Sequence, residues 1–249
     1  MSSLPDFVAL AAAALAQATL TMPDDSPAPS AAPAAPTQQD AVYSQLRHWV
    51  TTGRLQPGER LKIRELATRL GCGLMPVRAA LQRLAAEGGL RNVPNAGVVV
   101  PRLSPAEFDD LSQMRMLLEG EAAERGALRL DEPGRAALLA LGAQIRDALA
   151  QADAPAYFAA SAEFRVRLYR AAGSPLLFAL VDGLWLKAGP VSTRVFEAPE
   201  AAAALRDAHD ATQAALARHD AVGVRLAIER ELFIAGQFIR RRLRASKSS

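Results

Sequence analysis

Residues 63–84 read Ile63-Arg64-Glu65-Leu66-Ala67-Thr68-Arg69-Leu70-Gly71-Cys72-Gly73-Leu74-Met75-Pro76-Val77-Arg78-Ala79-Ala80-Leu81-Gln82-Arg83-Leu84, and the fold of the first half depends on how that stretch divides. Ile63, Leu66, Ala67 and Leu70 recur at helical spacing until Gly71 stops them. Pro76 suits the first turn of another helix, where a missing N–H has no partner to lose. Val77, Ala80, Leu81 and Leu84 give that helix one apolar face, and Gly88-Gly89 ends it. Two short helices joined at Cys72-Gly73-Leu74 predict a helix-turn-helix, whose second helix is shaped for the major groove of DNA.

Reading outward strengthens this. Upstream, Val42, Leu46, Trp49 and Val50 mark a helix from Asp40 to Gly53, followed by the turn Gln56-Pro57-Gly58. Downstream, the β-prone runs Leu90 to Val93 and Val98 to Val100 flank Pro94-Asn95-Ala96-Gly97, a hairpin signal. Three helices and a hairpin predict a winged helix-turn-helix over residues 40–102. Residues 23–39 are rich in Pro, Ala and Ser and have no apolar periodicity, so residues 1–39 are expected to be a disordered Ala/Pro-rich extension.

Beyond the hairpin, Ser104-Pro105-Ala106-Glu107 is a capping box with proline at its first helical position, opening a helix to about Leu128. Helical stretches follow at roughly 133–152, 154–172, 175–188, 200–219 and 221–244, with Asp153, Gly173-Ser174-Pro175, Gly189-Pro190 and Asp220 at their joints. The fold class is therefore mainly α: a winged helix-turn-helix, then an all-α bundle over 103–246. Helix 105–128, directly after the wing, is the expected transmitter between the two.

Composition agrees. A chain of 249 residues has room for two modest domains, and its 50% hydrophobic content with only 5% aromatics favours helices packed through small side chains. The net charge of +3 hides an asymmetry. Residues 1–40 carry four aspartates and no Lys or Arg, whereas residues 41–103 carry ten Lys and Arg against three Glu, and the remainder balances. Such a basic segment suits a polyanion, although charge alone leaves an Arg-rich solvated surface equally open. Cys72 is alone, which allows no disulfide within the chain and suits a reducing cytoplasm. The apolar run Phe7 to Leu20 is too short and Ala-rich to predict a membrane span.

In the helix-turn-helix the side chains placed for base edges are Met75, Arg78 and Gln82, with Arg64 placed for phosphate and Asn95 and Gly97 at the hairpin tip for the adjacent minor groove. The ordered series Gly53-Arg54-Leu55-Gln56-Pro57-Gly58-Glu59-Arg60-Leu61, Arg64-Glu65-Leu66-Ala67, and Pro76 to Leu84 with Glu87-Gly88 resembles the GntR-family DNA-binding domain. Helix 105–128, with Arg115 and Glu119 four apart, resembles the start of the FCD-type ligand domain of the FadR-like subgroup. The resemblance implies a DNA-binding regulator, not an enzyme: a homodimer, usually a repressor, working on a near-palindromic operator. It has a gap. Where the family usually carries a Ser-Arg-Thr-like turn whose arginine reads DNA, this chain has Gly73, Leu74 and Met75.

Many FCD domains hold a divalent metal through an Asp and a His four apart plus two later histidines. At the matching positions stand Ser161, Arg165, His209 and Glu231. A guanidinium has no lone pair to give a metal, so no metal or other cofactor is expected. Arg165 is instead expected to pair with Glu231, either as a structural ion pair or as a site for a small carboxylate effector that Arg115, Ser161 and His209 would share. Two other functions remain in view: a DNA-binding dimer whose ligand domain has decayed, and an enzyme with a DNA anchor. For the enzyme, the sequence offers no Gly-rich phosphate loop, nucleophile elbow, zincin pair or Cys-His arrangement.

Overall fold

In a computed structural model, residues 37–94, 97–198 and 200–245 are described. The expected disordered extension therefore lies almost wholly outside the described residues, as does Asn95.

The first part contains α1 (Gln38–Thr51), β1 (Arg60–Leu61), α2 (Ile63–Leu70), α3 (Leu74–Ala86), β2 (Arg91–Val93) and β3 (Gly97–Val99). Thr37 and Asp40 close a capping box at the start of α1. Gly71 ends α2 in the left-handed conformation, at φ +60°, so the chain can turn sharply into α3. The apolar stripes of these helices, Leu46 and Val50, Leu66 and Ala67, Val77 and Leu84, meet in one core. Leu46, Val50, Val77 and Leu84 are fully buried, each worth about 1.5–3 kcal/mol relative to exposure. The hairpin gains a third strand: β3 pairs antiparallel with β2 (Asn92 opposite Val98) and with β1 (Leu61 opposite Val98).

The second part is six helices: α4 (Pro105–Arg129), α5 (Glu132–Ala150), α6 (Ala154–Ala171), α7 (Pro175–Ser192), α8 (Ala201–Ala217) and α9 (Ala221–Ala245). Side chains of Ser104, Asp131, Asp153 and Ser174 cap the first four, and each of these four has a proline in its first turn. Small residues let the helices approach closely. At Gly126 a Cβ would meet the Leu168 carbonyl, and at Gly142 it would meet the Gln213 amide. The α4/α6 crossing at Gly126 brings the polar residues of those two helices face to face.

The structure departs from the expected ends in one instructive place. Helix α7 does not stop before Gly189-Pro190 but runs through both to Ser192, followed by a 3-10 turn at Thr193–Glu197. Gly189 lies against the backbone of Val50 and Thr51 at the end of α1, where a Cβ would collide. Here glycine serves a close crossing, and the proline sits in the last turn, where one lost hydrogen bond matters least. The seam between the two parts is thus carried by α7, whose Leu186 belongs to the core of the first part and lies against Gly89. The expected transmitter, α4, continues the chain from the wing, but the packed contact runs through α7. The stretch Pro175–Glu197 has the length and composition of a membrane span. Its buried apolar side chains are divided between two cores: Leu186 goes to the head, and Val181, Val191 and Val195 go to the bundle.

Candidate functional site

Two surfaces carry candidate chemistry. On the first part, α3 buries Val77, Ala80, Leu81 and Leu84 and so turns the opposite stripe outward. That stripe includes Met75, 69% exposed, with Arg78 and Gln82 one and two turns further on. Arg64 is exposed on α2, and Gly97 is exposed at the start of β3 with φ +75°. Among the described residues neither Arg64 nor Arg78 makes an ion pair, whereas Arg83, on the flank of α3, is held by Glu87 at 3.1 Å. Unpaired exposed guanidinium groups, one on each helix of the helix-turn-helix, are free to meet phosphate or a guanine edge.

The second site lies where α4, α6, α7, α9 and α1 meet. On α6 the residues Tyr157, Ser161, Arg165 and Tyr169 recur every four positions and share one inward stripe. Arg165 sits at its centre. One guanidinium nitrogen donates to Glu231 Oε1 at 2.7 Å, and the other donates to Glu119 Oε2 at 3.1 Å. Arg115 reaches the same Glu119, donating from Nε to Oε1 at 2.6 Å. The Tyr169 hydroxyl donates to Glu119 Oε2 at 3.1 Å, and the Tyr157 hydroxyl to Glu231 Oε1 at 3.4 Å. The Ser161 hydroxyl lies beside Tyr157 and has no partner in good hydrogen-bond geometry.

This network fixes its own charge states. Burial tends to raise the Glu231 carboxyl, but Arg165 and then His209 outweigh it and hold the group at about 2. Burial acts likewise on Glu119, and Arg115 and Arg165 keep it below the ordinary carboxylate range. Burial also opposes the charge on Arg165, yet Glu231, Tyr169 and Glu119 hold its pKa well above the usual value. Both tyrosines are pushed upward by burial and stay neutral donors. The core therefore holds one guanidinium between two carboxylates, a grouping that is stable only while complete.

A cavity of about 500 Å³ opens beside this network. Arg115, Ser161 and Arg165 line it, with Tyr157, Phe158, Trp185 and Leu232 among its apolar walls. His209 and Glu231 do not line it. They sit behind Arg165, with His209 Nε2 3.2 Å from the Gly142 carbonyl and Nδ1 3.9 Å from Glu231 Oε2. Sequence reasoning missed the other wall, formed by Arg47, His48, Thr51 and Thr52 at the end of α1 and Asp182 of α7. Their sequence gave no signal, because only the α1/α7 crossing brings them to the bundle.

The four positions that would hold a metal in the resembling proteins do not fit one here. Arg165 occupies the centre with a positive charge, and Ser161 offers a weak neutral oxygen. Among the described residues no three His, Cys, Asp or Glu side chains converge as a metal site.

Comparison with known proteins gives a consistent picture. Residues 38–100 match the family described as bacterial regulatory proteins, gntR family, and residues 110–232 match the FCD domain. The HTH-type transcriptional regulator McbR of Escherichia coli strain K12 is 29% identical over 157 residues, covering 63% of this chain and 71% of McbR. An uncharacterized HTH-type transcriptional regulator from the TAR-I ttuE-ttuC' intergenic region of Agrobacterium vitis is 33% identical over 132 residues, 51% of this chain and 77% of that protein. Among solved structures, E. coli McbR/YncC superposes with a TM-score of 0.76 at 26% identity, covering 83% of this chain and 98% of that one.

Proposed function

Since the chain belongs to the gntR family of bacterial regulatory proteins, carries an FCD domain and is a DNA-binding transcription regulator, we propose that it is a homodimeric, metal-free repressor controlled by an organic acid. In this reading residues 40–102 bind operator DNA, with Met75, Arg78 and Gln82 at the bases, Arg64 on phosphate, and Asn95 and Gly97 near the minor groove. Residues 103–246 bind the effector and hold the dimer, which works in the cytoplasm. The observation that carries the effector assignment is the cavity, where Arg115 and Arg165 meet largely apolar walls. A carboxylate would take the guanidinium end, and its hydrocarbon body would lie along Phe158, Trp185 and Leu232. Ser161 would offer its hydroxyl, while His209 and Glu231 would orient Arg165 from behind.

Metal-free binding follows from the same charges. The role that a cation plays in related domains, holding an anion, is here taken by Arg165. The test is a matched panel: hexanoate against hexanamide and benzoate against benzamide, followed by thermal unfolding and by affinity for DNA sites selected from random duplex. The acids should raise the melting temperature and weaken DNA binding, and the amides should do neither. Equal effects of acid and amide would remove the charge-based reading.

A further inference from the structure

Three arginines line the cavity, and they are not equally free. Arg115 and Arg165 are bound to Glu119 and Glu231, whose side chains are 0% and 6% exposed. Taking either arginine away would strand a buried carboxylate, which the protein interior tolerates poorly. Arg47 is different. It donates to Asp182 Oδ2 at 2.6 Å and to the Asp182 carbonyl at 3.2 Å, and the Asp182 side chain is 35% exposed. Water can replace Arg47 around a carboxylate that open, so this pair is the cheapest of the three to exchange.

We infer that Arg47 is part of the effector site, and that a bound carboxylate acts by taking Arg47 from Asp182. The inference rests on the effector reading above and adds how occupancy reaches the DNA-binding head. Arg47 lies on α1, next to Trp49 and Val50 in the head core, and Asp182 lies on α7, one turn before Leu186, which is inserted into that core. The pair therefore fastens the head to α7 along the seam where Gly189 meets Val50 and Thr51. The three arginines of the cavity wall are paired with three carboxylates, Glu119, Glu231 and Asp182, and Glu163, which also lines the cavity, is paired with Arg167, so the set is neutral. An anion adds one negative charge. The site accommodates it by giving up the most exposed of the acids that hold these three arginines, so Asp182 turns to solvent and Arg47 joins Arg115 and Arg165 on the ligand. Head and bundle are then linked through the ligand to α4 and α6, while α7 keeps its apolar contact through Leu186 and Gly189 but has lost its ion pair. A ligand that binds this second arrangement better changes DNA affinity, and by reciprocity DNA changes ligand affinity.

The test compares the full-length wild type with Asp182→Asn, Arg47→Gln and Arg47→Lys, using hexanoate and benzoate as probes and a selected DNA site. Circular dichroism checks that each variant is folded. With no carboxylate present, Asp182→Asn should already show the carboxylate-saturated DNA affinity, with faster amide exchange across residues 38–52. It should bind the carboxylate more tightly. Arg47→Gln should bind the carboxylate about tenfold or more weakly, the loss expected for one charge-assisted hydrogen bond, and Arg47→Lys should recover part of it. The two readings fail separately. If carboxylates bind the wild type and both Arg47→Gln and Asp182→Asn bind them equally well, Arg47 has no place in the site and the exchange is overturned. If ligand-free Asp182→Asn matches the wild type in DNA affinity and in amide exchange, the fastening role is overturned whatever binds. If neither probe binds the wild type but Asp182→Asn shifts DNA affinity, the choice of effector is wrong and the fastening stands.

Discussion

The head and the bundle bury different things. The head closes over aliphatic side chains, Leu46, Val50, Leu55, Val77, Leu81 and Leu84, and sends its charges outward. The bundle closes over Glu119, Arg135, Ser161, His209, Thr212, Gln213 and Glu231 as well as its apolar core. A dry core suits a part whose work lies on its surface, because nothing inside has to change. A polar interior is costly for folding alone, and its retention beside a cavity points to work done inside. The difference can be broken in a graded way.

The largest effect is expected at the centre of the bundle. Arg165→Ala leaves Glu119 and Glu231 buried without their shared cation, and it should lower unfolding free energy at pH 7 by about 3–5 kcal/mol. The pH dependence identifies the cause. In the wild type the Glu231 carboxyl sits at about 2, below its ordinary 4.5, so its contribution is complete above 4.5 and disappears as pH falls toward 2. Without Arg165, Glu119 keeps Arg115 but Glu231 loses the largest influence that lowers it, so its carboxyl rises and protonation relieves the variant as pH falls from neutrality. Urea unfolding at pH 7 and pH 4 should show the deficit shrinking at the lower pH. A head-core change gives the contrast: Leu84→Ala should cost about 2–5 kcal/mol, nearly the same at both pH values, because a cavity does not titrate.

That contrast also explains what the sequence could reveal. The apolar stripes and caps of the head and the six bundle helices are local signals, and they are where the spacing puts them. β1 was invisible because Arg60–Leu61 is two residues long and shows no period; only its pairing with β3 makes it a strand. Gly189-Pro190 reads locally as a helix end, and the reason it is not one lies on α1, about 140 residues earlier in the chain. The pairing of Arg165 with Glu231 was legible through the resemblance, because those positions face one another in related domains. Glu119 as a second partner, and Arg47 with Asp182 as the far wall, depend on helix crossings that no spacing encodes.

On the head surface the effects should be smaller in stability and visible in DNA binding. Arg78→Ala leaves the core untouched, so stability should stay within about 0.5 kcal/mol of wild type. Specific binding should weaken by about 1–3 kcal/mol if Arg78 reads a base edge. Titrations on a selected site and on random duplex distinguish the roles: a loss confined to the selected site marks a base contact, and equal losses make Arg78 a phosphate contact.

The smallest change concerns the turn Gly73-Leu74-Met75, which lacks the arginine that the family resemblance leads one to expect. Leu74 and Met75 are 48% and 69% exposed at the start of α3, an unusual place for two large apolar side chains beside unpaired helical N–H groups. Leu74→Arg puts a cation there. The helix dipole opposes it, so the free protein should lose about 0.3–1 kcal/mol at most. On DNA the same guanidinium reaches the backbone, and each phosphate neutralised steepens the salt dependence of log K by about 0.9. A steeper slope on random duplex, with little gain in preference for the selected site, is the expected outcome. An unchanged slope would mean that the start of α3 does not face the duplex, and the orientation of the recognition helix would have to be reversed.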